Sequence, residues 1–296
     1  MRDRDQVKLV AEIGCSHAGE ISRAKYLAEL AARHGASYVK FQKRNPKECI
    51  PQSIADKPHP NPAFAYGDTY LKHRRALELS LQQHEELKRH CESLGVGYSS
   101  SVWDFTSADE IISLEPDYIK IPSACCMHFG LIDHVLSLSH CPIHVSVGMT
   151  SSEELSALIG NYKKHLGDRI VLYQCTAEYP ARVDHLDVSA ITGLIDQCQP
   201  DDCRLPHVGF SNHSLSIGAD LAAVALGATW IEHHFIDNRA FRHTDAACSL
   251  CPNEFSVLRR LSMEAVMSMS PKRSLSKEEE RQRSKLRYYE QEARCD

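Results

Sequence analysis

From Lys8 onward the chain alternates short apolar runs of period two with longer runs of helical period, and it does so eight times before the composition changes near Met267. The strand patterns fall at 8–13, 38–42, 96–101, 117–121, 143–147, 169–175, 206–210 and 229–234, each followed by a helical pattern. Gly35 and Gly95 stand where two of those helices should stop. Eight βα units in this span match the size and order of a closed (β/α)8 barrel, so the expected fold is α/β, a TIM barrel with a polar C-terminal helical tail. The rival is an open doubly wound sheet, which would not need eight units. No G-x-G-x-x-G sits between a strand and its helix to support it. The expected division is a barrel over 1–268 and a charged tail over 269–296. Residues 46–70 read as a long irregular insertion, rich in Pro, Asn and His, and 72–95 as one helix.

The net charge of -5, with Lys and Arg spread along the chain, gives no basic stripe for nucleic acid. The N-terminal MRDRDQ runs straight into a strand and no apolar run is long enough to span a bilayer. A cytoplasmic protein is the expectation. The twelve cysteines are scattered through predicted strands and helices, a pattern of free buried thiols and not of a secreted disulfide scaffold. Cys248 and Cys251 form a lone CxxC after a strand, too little for a zinc or redox motif.

In a barrel the chemistry collects at the carboxyl ends of the strands. Those ends carry Glu12, Lys40 with Gln42, Ser100 with Ser101, Lys120 with Ser123, Ser146, Thr176 with Tyr179, Ser211 with His213, and Glu232 with His234. Strand parity turns Tyr38, Lys40 and Gln42 to one face and Trp230, Glu232 and His234 to one face. An inward lysine must meet an anion, because an unpaired buried ammonium is too costly. Two lysines among hydroxyls and amides suit a small, highly charged anion such as a phosphorylated carboxylic acid. Two histidines at neighbouring strand ends offer a place for a divalent metal, and Glu12 and Glu232 can manage protons or balance the lysines. The array favours an aldol-type condensation over hydride transfer, and leaves a phosphosugar isomerase open.

The stretches AEIGCSHAG (11–19), YVKFQKRN (38–45), YGDTYLKHR (66–74), YSSSVWD (98–104), YIKIPSAC (118–125), HVSVGMT (144–150), YQCTAEYP (173–180), GFSNHSLSIGAD (209–220), GATWIEHHF (227–235) and TDAACSLCP (244–252) resemble the sialic acid synthase family. The resemblance implies a (β/α)8 barrel that condenses phosphoenolpyruvate with an aldose acceptor. That acceptor is typically N-acetylmannosamine or a related N-acylated hexose, and the products are a nonulosonic acid and phosphate. It implies a divalent cation, Mn2+ or Mg2+, held by His213 and His234. It further implies Lys40, Ser101 and Lys120 at the phosphoenolpyruvate carboxylate, and Gln42, Ser123, Ser146 and Ser211 around its phosphate and enol end. Glu12 would lie near the metal and sugar aldehyde, with Tyr179 and Asp245 on the sugar side. For the proton at the new hydroxyl or the water, Glu12 is the first candidate and Glu232 the alternative. A homodimer is the implied assembly.

The chain departs from the family pattern at Ser16 to Gly19, at Cys125, and at Ala177, where members carry an asparagine. The usual C-terminal antifreeze-like domain has no counterpart in the sequence. These departures keep two alternatives in view: the same condensation on a non-acetamido aldose such as mannose, and a non-catalytic barrel acting as a regulatory or partner subunit.

Overall fold

The computed structural model describes residues 7–167, 169–199, 207–269 and 274–287. Its first compact unit, Met1–Val266, is a closed barrel of eight parallel strands in sequence order. The strands are β1 Lys8–Gly14, β2 Tyr38–Lys43, β3 Gly97–Val102, β4 Tyr118–Ile121, β5 Ile143–Ser146, β6 Ile170–Cys175, β7 Val208–Asn212 and β8 Trp230–His234. The expected β7 began at Pro206, which lies outside the described residues.

Outward-facing strand residues such as Leu9, Ile13, Val39, Phe41, Ile119, Ile121, Ile143, Val145, Phe210 and Ile231 are buried under the surrounding helices. Each such side chain contributes roughly 1.5–3 kcal/mol of transfer free energy. The helix over Ile21–Arg33 presents Ala24, Leu27, Ala28 and Ala31, whose small side chains let it lie close to the sheet. Gly35 follows it at φ +95°, a left-handed position that glycine occupies without strain.

Three expectations need correction. Residues 46–70 are not wholly irregular, for they contain short helices at Pro46–Cys49 and Gln52–Ala55 and a 3-10 turn at Pro62–Phe64. The single helix expected over 72–95 is two, Tyr70–Leu77 and Leu81–Ser93. The break is local chemistry: Ser80 and Gln83 form a capping box that starts the second helix, and the Glu78 carboxylate turns inward to accept from the Arg44 amide at 2.9 Å. After β6 a 3-10 turn at Val183–His185 precedes a helix at Ala190–Gln197, where the sequence pattern suggested a helix from His185.

The registers place Tyr38, Tyr118, His144, Tyr173 and Trp230 in the lower barrel interior, with the polar residues one step further along each strand. The rings pack closely: Tyr118 stacks on His144 at 3.9 Å between centroids, and Trp230 meets His144 edge-on at 4.5 Å. Two glycines make room for this floor. A Cβ on Gly97 would fall 2.2 Å from the Tyr38 ring, and one on Gly209 would fall 2.4 Å from the Tyr173 ring. The barrel is therefore a filled core closed at one end, and its polar end is the opposite one.

Among the described residues no helix is long and apolar enough to cross a membrane. The second unit, Met267–Asp296, contains a helix at Lys277–Leu286 with a Ser276/Glu279 capping box and a row of acids in its first turn. The remainder of the expected tail lies outside the described residues.

The floor generates a prediction. Gly209→Ala pushes a methyl group into the Tyr173 ring and should cost about 1–3 kcal/mol of stability, as overpacking does. Gly218→Ala, at a helical position in ordinary contact with Ser216, should cost nothing measurable. Urea unfolding of the two variants checks the difference.

Candidate active site

Seven of the residues singled out from the sequence form one buried network at the carboxyl ends of the strands. Lys40 Nζ lies 2.5 Å from Glu12 Oε2 and 3.6 Å from Glu232 Oε1, and it donates to Ser101 Oγ at 2.8 Å. Lys120 Nζ donates to Glu232 Oε2 at 3.0 Å. Gln42 Nε2 donates to Glu12 Oε1 at 2.8 Å, and Ser211 Oγ to Glu232 Oε1 at 3.4 Å. The order Glu12, Lys40, Glu232, Lys120 alternates in sign, and all four side chains are almost completely buried.

Of the two carboxyls that share Lys40, Glu232 keeps the charge. Burial works against it, but Lys120 and Lys40 together hold it well below the usual carboxylate range. Glu12 gives way: burial pushes it up to about 7, opposed by Lys40 and assisted by the charge on Glu232. Burial lowers Lys120, with Glu232 opposing and Lys40 adding its repulsion. Lys40, between two carboxyls, is raised against the cost of its burial.

A second cluster gathers His213, His234, Tyr179 and Asp245. The two imidazole rings are 5.3 Å apart, and the Tyr179 ring lies 4.2 Å from His213. His213 Nδ1 donates to the Thr176 carbonyl at 2.8 Å, which leaves its Nε2 lone pair free. His234 Nδ1 is buried without a hydrogen-bond partner, 4.0 Å from Asp245 Oδ2. Burial lowers His234 to about 4, with Asp245 opposing, so its ring is neutral near pH 7, the form that binds metals. A pinned imidazole with a free nitrogen beside an orphaned buried one fits a divalent cation held by two histidines, its other positions left to substrate or water. Among the described residues no cluster of three or more His, Cys, Asp or Glu side chains forms a fuller cage.

The segment carrying His213 is fixed from behind. Ser211 lies within β7 and not in the loop where the sequence placed it, and Asn212 ends the strand. Asn212 Nδ2 donates to Asp220 Oδ1 at 2.8 Å, while its Oδ1 accepts from the Ser214 amide and hydroxyl, both at 2.8 Å. Asp220 is fully buried, 3.9 Å from the equally buried His233. Burial keeps both uncharged, raising Asp220 to about 8 against the Asn212 hydrogen bond and lowering His233 to about 3.

Two predicted residues stand apart from the networks. Ser146 is buried at the end of β5, opposite Tyr173 in the ladder, and its hydroxyl makes no side-chain hydrogen bond among the described residues. Ser123 lies in the turn after β4, where a Cβ on Gly148 would fall 2.8 Å from its hydroxyl. The sequence missed Arg44, whose guanidinium lies 3.9 Å over the Trp103 ring and donates to Gln42 Oε1 at 2.6 Å. Its parity with Lys40 and Gln42 was a usable signal. It also missed Cys175, 3.9 Å from His213 Nδ1, and the buried His17 and His243. Cys248 and Cys251 are free thiols.

Comparison with known proteins settles the lineage. The family model described as the NeuB family matches residues 27–273. The chain belongs to the NeuB family. It is 33% identical over 252 residues to N,N'-diacetyllegionaminic acid synthase of Campylobacter jejuni, covering 84% of this chain and 73% of that protein. It is 30% identical over 256 residues to N-acetylneuraminate-9-phosphate synthase of Drosophila melanogaster, covering 86% and 66% respectively. The chain thus spans about two thirds to three quarters of the length of these relatives. The crystal structure of a sialic acid synthetase from Leptospira borgpetersenii superposes with TM-score 0.78 at 22% identity, covering 96% of this chain and 93% of that one, a likeness of fold. Family membership makes the chain a carbon–carbon bond-forming enzyme, as expected from its motifs.

The clasp behind His213 carries a pH signature. Asp220 titrates near 8 when folded and near its ordinary 3.8 when unfolded, so the folded chain retains a proton that the unfolded chain releases. This contribution is complete below about pH 4 and is lost as the pH rises through about 8. Asp220→Asn cannot ionise, so thermal melts of that variant should decline less between pH 6 and 9, with about 3 °C recovered at pH 9 for each kcal/mol removed from the decline.

Proposed function

We propose that this chain condenses phosphoenolpyruvate with an N-acylated hexose, N-acetylmannosamine or a relative, to give a nonulosonic acid and inorganic phosphate. The observation that supports it most is the buried alternation of Glu12, Lys40, Glu232 and Lys120 beside His213, pinned through Nδ1, and His234, whose ring burial keeps neutral.

On this reading Lys40 and Lys120 turn part of their hydrogen bonding from the glutamates to the phosphoenolpyruvate carboxylate, with Ser101 beside it. Gln42, Ser123, Ser146 and Ser211 surround the phosphate and enol end. Holding the anion in a buried, fixed frame orients C3 towards the acceptor aldehyde. Tyr179 and Asp245 form the wall against which the open-chain sugar lies. His213 and His234 would hold a divalent cation, manganese or magnesium, which when bound supplies Lewis acidity at the acceptor carbonyl oxygen.

The C3–C1 bond forms from the enol electron pair, and the aldehyde oxygen becomes a hydroxyl. Glu12, whose carboxyl is poised near neutrality, holds the proton that this oxygen takes. Glu232 stays ionised and keeps both lysines charged and in place. Water adds at C2 and gives one proton back to the Glu12 carboxylate; the C2–O bond to phosphate then breaks, and phosphate leaves with that electron pair, taking the C2 hydroxyl proton as the ketone forms.

The test is phosphate release from phosphoenolpyruvate with manganese against a panel of N-acylated and unsubstituted aldoses, with product mass read in parallel. Release with an N-acylated hexose and a product heavier by the three-carbon acid supports the proposal. Turnover confined to mannose or another unsubstituted aldose, or none at all, contradicts it. His234→Ala should lower kcat by about a hundredfold or more while phosphoenolpyruvate binding changes little, and removal of divalent metal by chelation should abolish turnover until manganese is restored.

A further inference from the structure

The reading above leaves Tyr173 and His144 without a task, although both are buried directly beneath the charged network. Lys120 Nζ lies 3.4 Å from the centroid of the Tyr173 ring, well inside the roughly 6 Å reach of a cation–π contact, and its other partner is Glu232 at 3.0 Å. The ring has no freedom to turn away. Gly209, its register partner on β7, leaves the space it fills, since a Cβ there would fall 2.4 Å from ring carbons. The phenol oxygen and His144 Nδ1 are 2.9 Å apart, and His144 is itself stacked on Tyr118 and braced by Trp230.

We infer that Tyr173 is a positioning residue for the reaction: its π face, locked by Gly209 and His144, fixes the Lys120 ammonium at the height where it meets the anionic substrate. The physical case rests on what a second carboxylate would do instead. A carboxylate beneath Lys120 would hold the ammonium equally well, but it would occupy a donor and add negative charge where an anion must bind. A ring face attracts the cation through its quadrupole and adds no net charge. With Tyr173 below and Glu232 to one side, Lys120 keeps donor capacity towards the open end of the barrel. Because water is excluded, the attraction is at the strong end of its range, equivalent to about tenfold or more in an equilibrium.

This inference rests on the phosphoenolpyruvate reading for its substrate but not for the contact itself, so the experiment has two readouts. Phenylalanine and its mono-, di- and trifluoro analogues are placed at position 173 of the full chain, which keeps the ring's size while draining its π face stepwise. Phosphoenolpyruvate KM should rise stepwise, about tenfold across the series, with acceptor KM unchanged. In parallel, the titration of Lys120 is followed by 13C NMR of lysine-labelled protein, assigned with Lys120→Arg. Its midpoint should fall stepwise in the same order, without any substrate present. A flat series in both readouts overturns the role of Tyr173. A stepwise Lys120 response with no binding of phosphoenolpyruvate to the wild-type protein sustains the hold on Lys120 and overturns the substrate. Tyr173→Leu, which removes the face altogether, should exceed the trifluoro variant in both effects, and Tyr173→Phe should restore most of the loss.

Discussion

Two lysines and two glutamates, buried and alternating in sign inside the carboxyl end of the barrel, set the terms for everything around them. Moving four charges out of water costs several kcal/mol each, and only good geometry with every partner present offsets it. The barrel supplies that geometry because the charges sit on β1, β2, β4 and β8, strands whose positions are fixed by closure. The arrangement is balanced but uneven. Glu232 has two lysines and holds its charge, whereas Glu12 has one and sits close to releasing it at neutral pH. One carboxylate can therefore serve as a permanent counter-charge and the other as a proton carrier, a division made by neighbours and not by residue type.

The rest of the interior serves that network. Below it, the aromatic floor excludes water and gives Lys120 a neutral platform. Beside it, the Asn212–Asp220 clasp fixes the end of β7, so that His213 meets His234 with a nitrogen free. Beyond the ends of β2 and β8, Arg242 donates to the Pro62 carbonyl at 3.1 Å and Tyr66 donates to the Arg242 carbonyl at 3.0 Å, tying the insertion to the segment after β8. The segment expected to be irregular is thus braced by short helices and by contacts that only the folded barrel brings together.

Much of this was legible in the sequence, for identifiable reasons. Period-two alternation set Lys40 beside Gln42 and Glu232 beside His234, Lys120 was marked by its place at a strand end, and closure of eight units then brought residues as far apart as Lys120 and Glu232 into contact. What the sequence did not reveal was how charge would be shared. Pairing between strands remote in sequence decides that Lys40 bridges both glutamates, and no local pattern encodes it. Arg44 was missed although parity pointed to it, because it lies just past the end of β2, where alternation stops being a guide. Tyr173 was missed because an aromatic on a strand ordinarily signals core packing, and only the empty space at Gly209 and the position of Lys120 give it a second meaning. The break at Glu78 was hidden by strong helix formers on both sides, and it follows from the Ser80–Gln83 capping box together with the turn of the Glu78 carboxylate to the Arg44 amide.

The central claim is that the network is charge-balanced as built and that Glu12 is its yielding member. Calorimetric titration of phosphoenolpyruvate at pH 8, in buffers of differing ionisation enthalpy, tests this directly. An anion placed among these lysines draws them from Glu12 and raises its affinity for a proton, so binding should take up a fraction of a proton, and Glu12→Gln should abolish that uptake. Binding with the same enthalpy in every buffer, or an uptake undiminished in Glu12→Gln, would contradict the account.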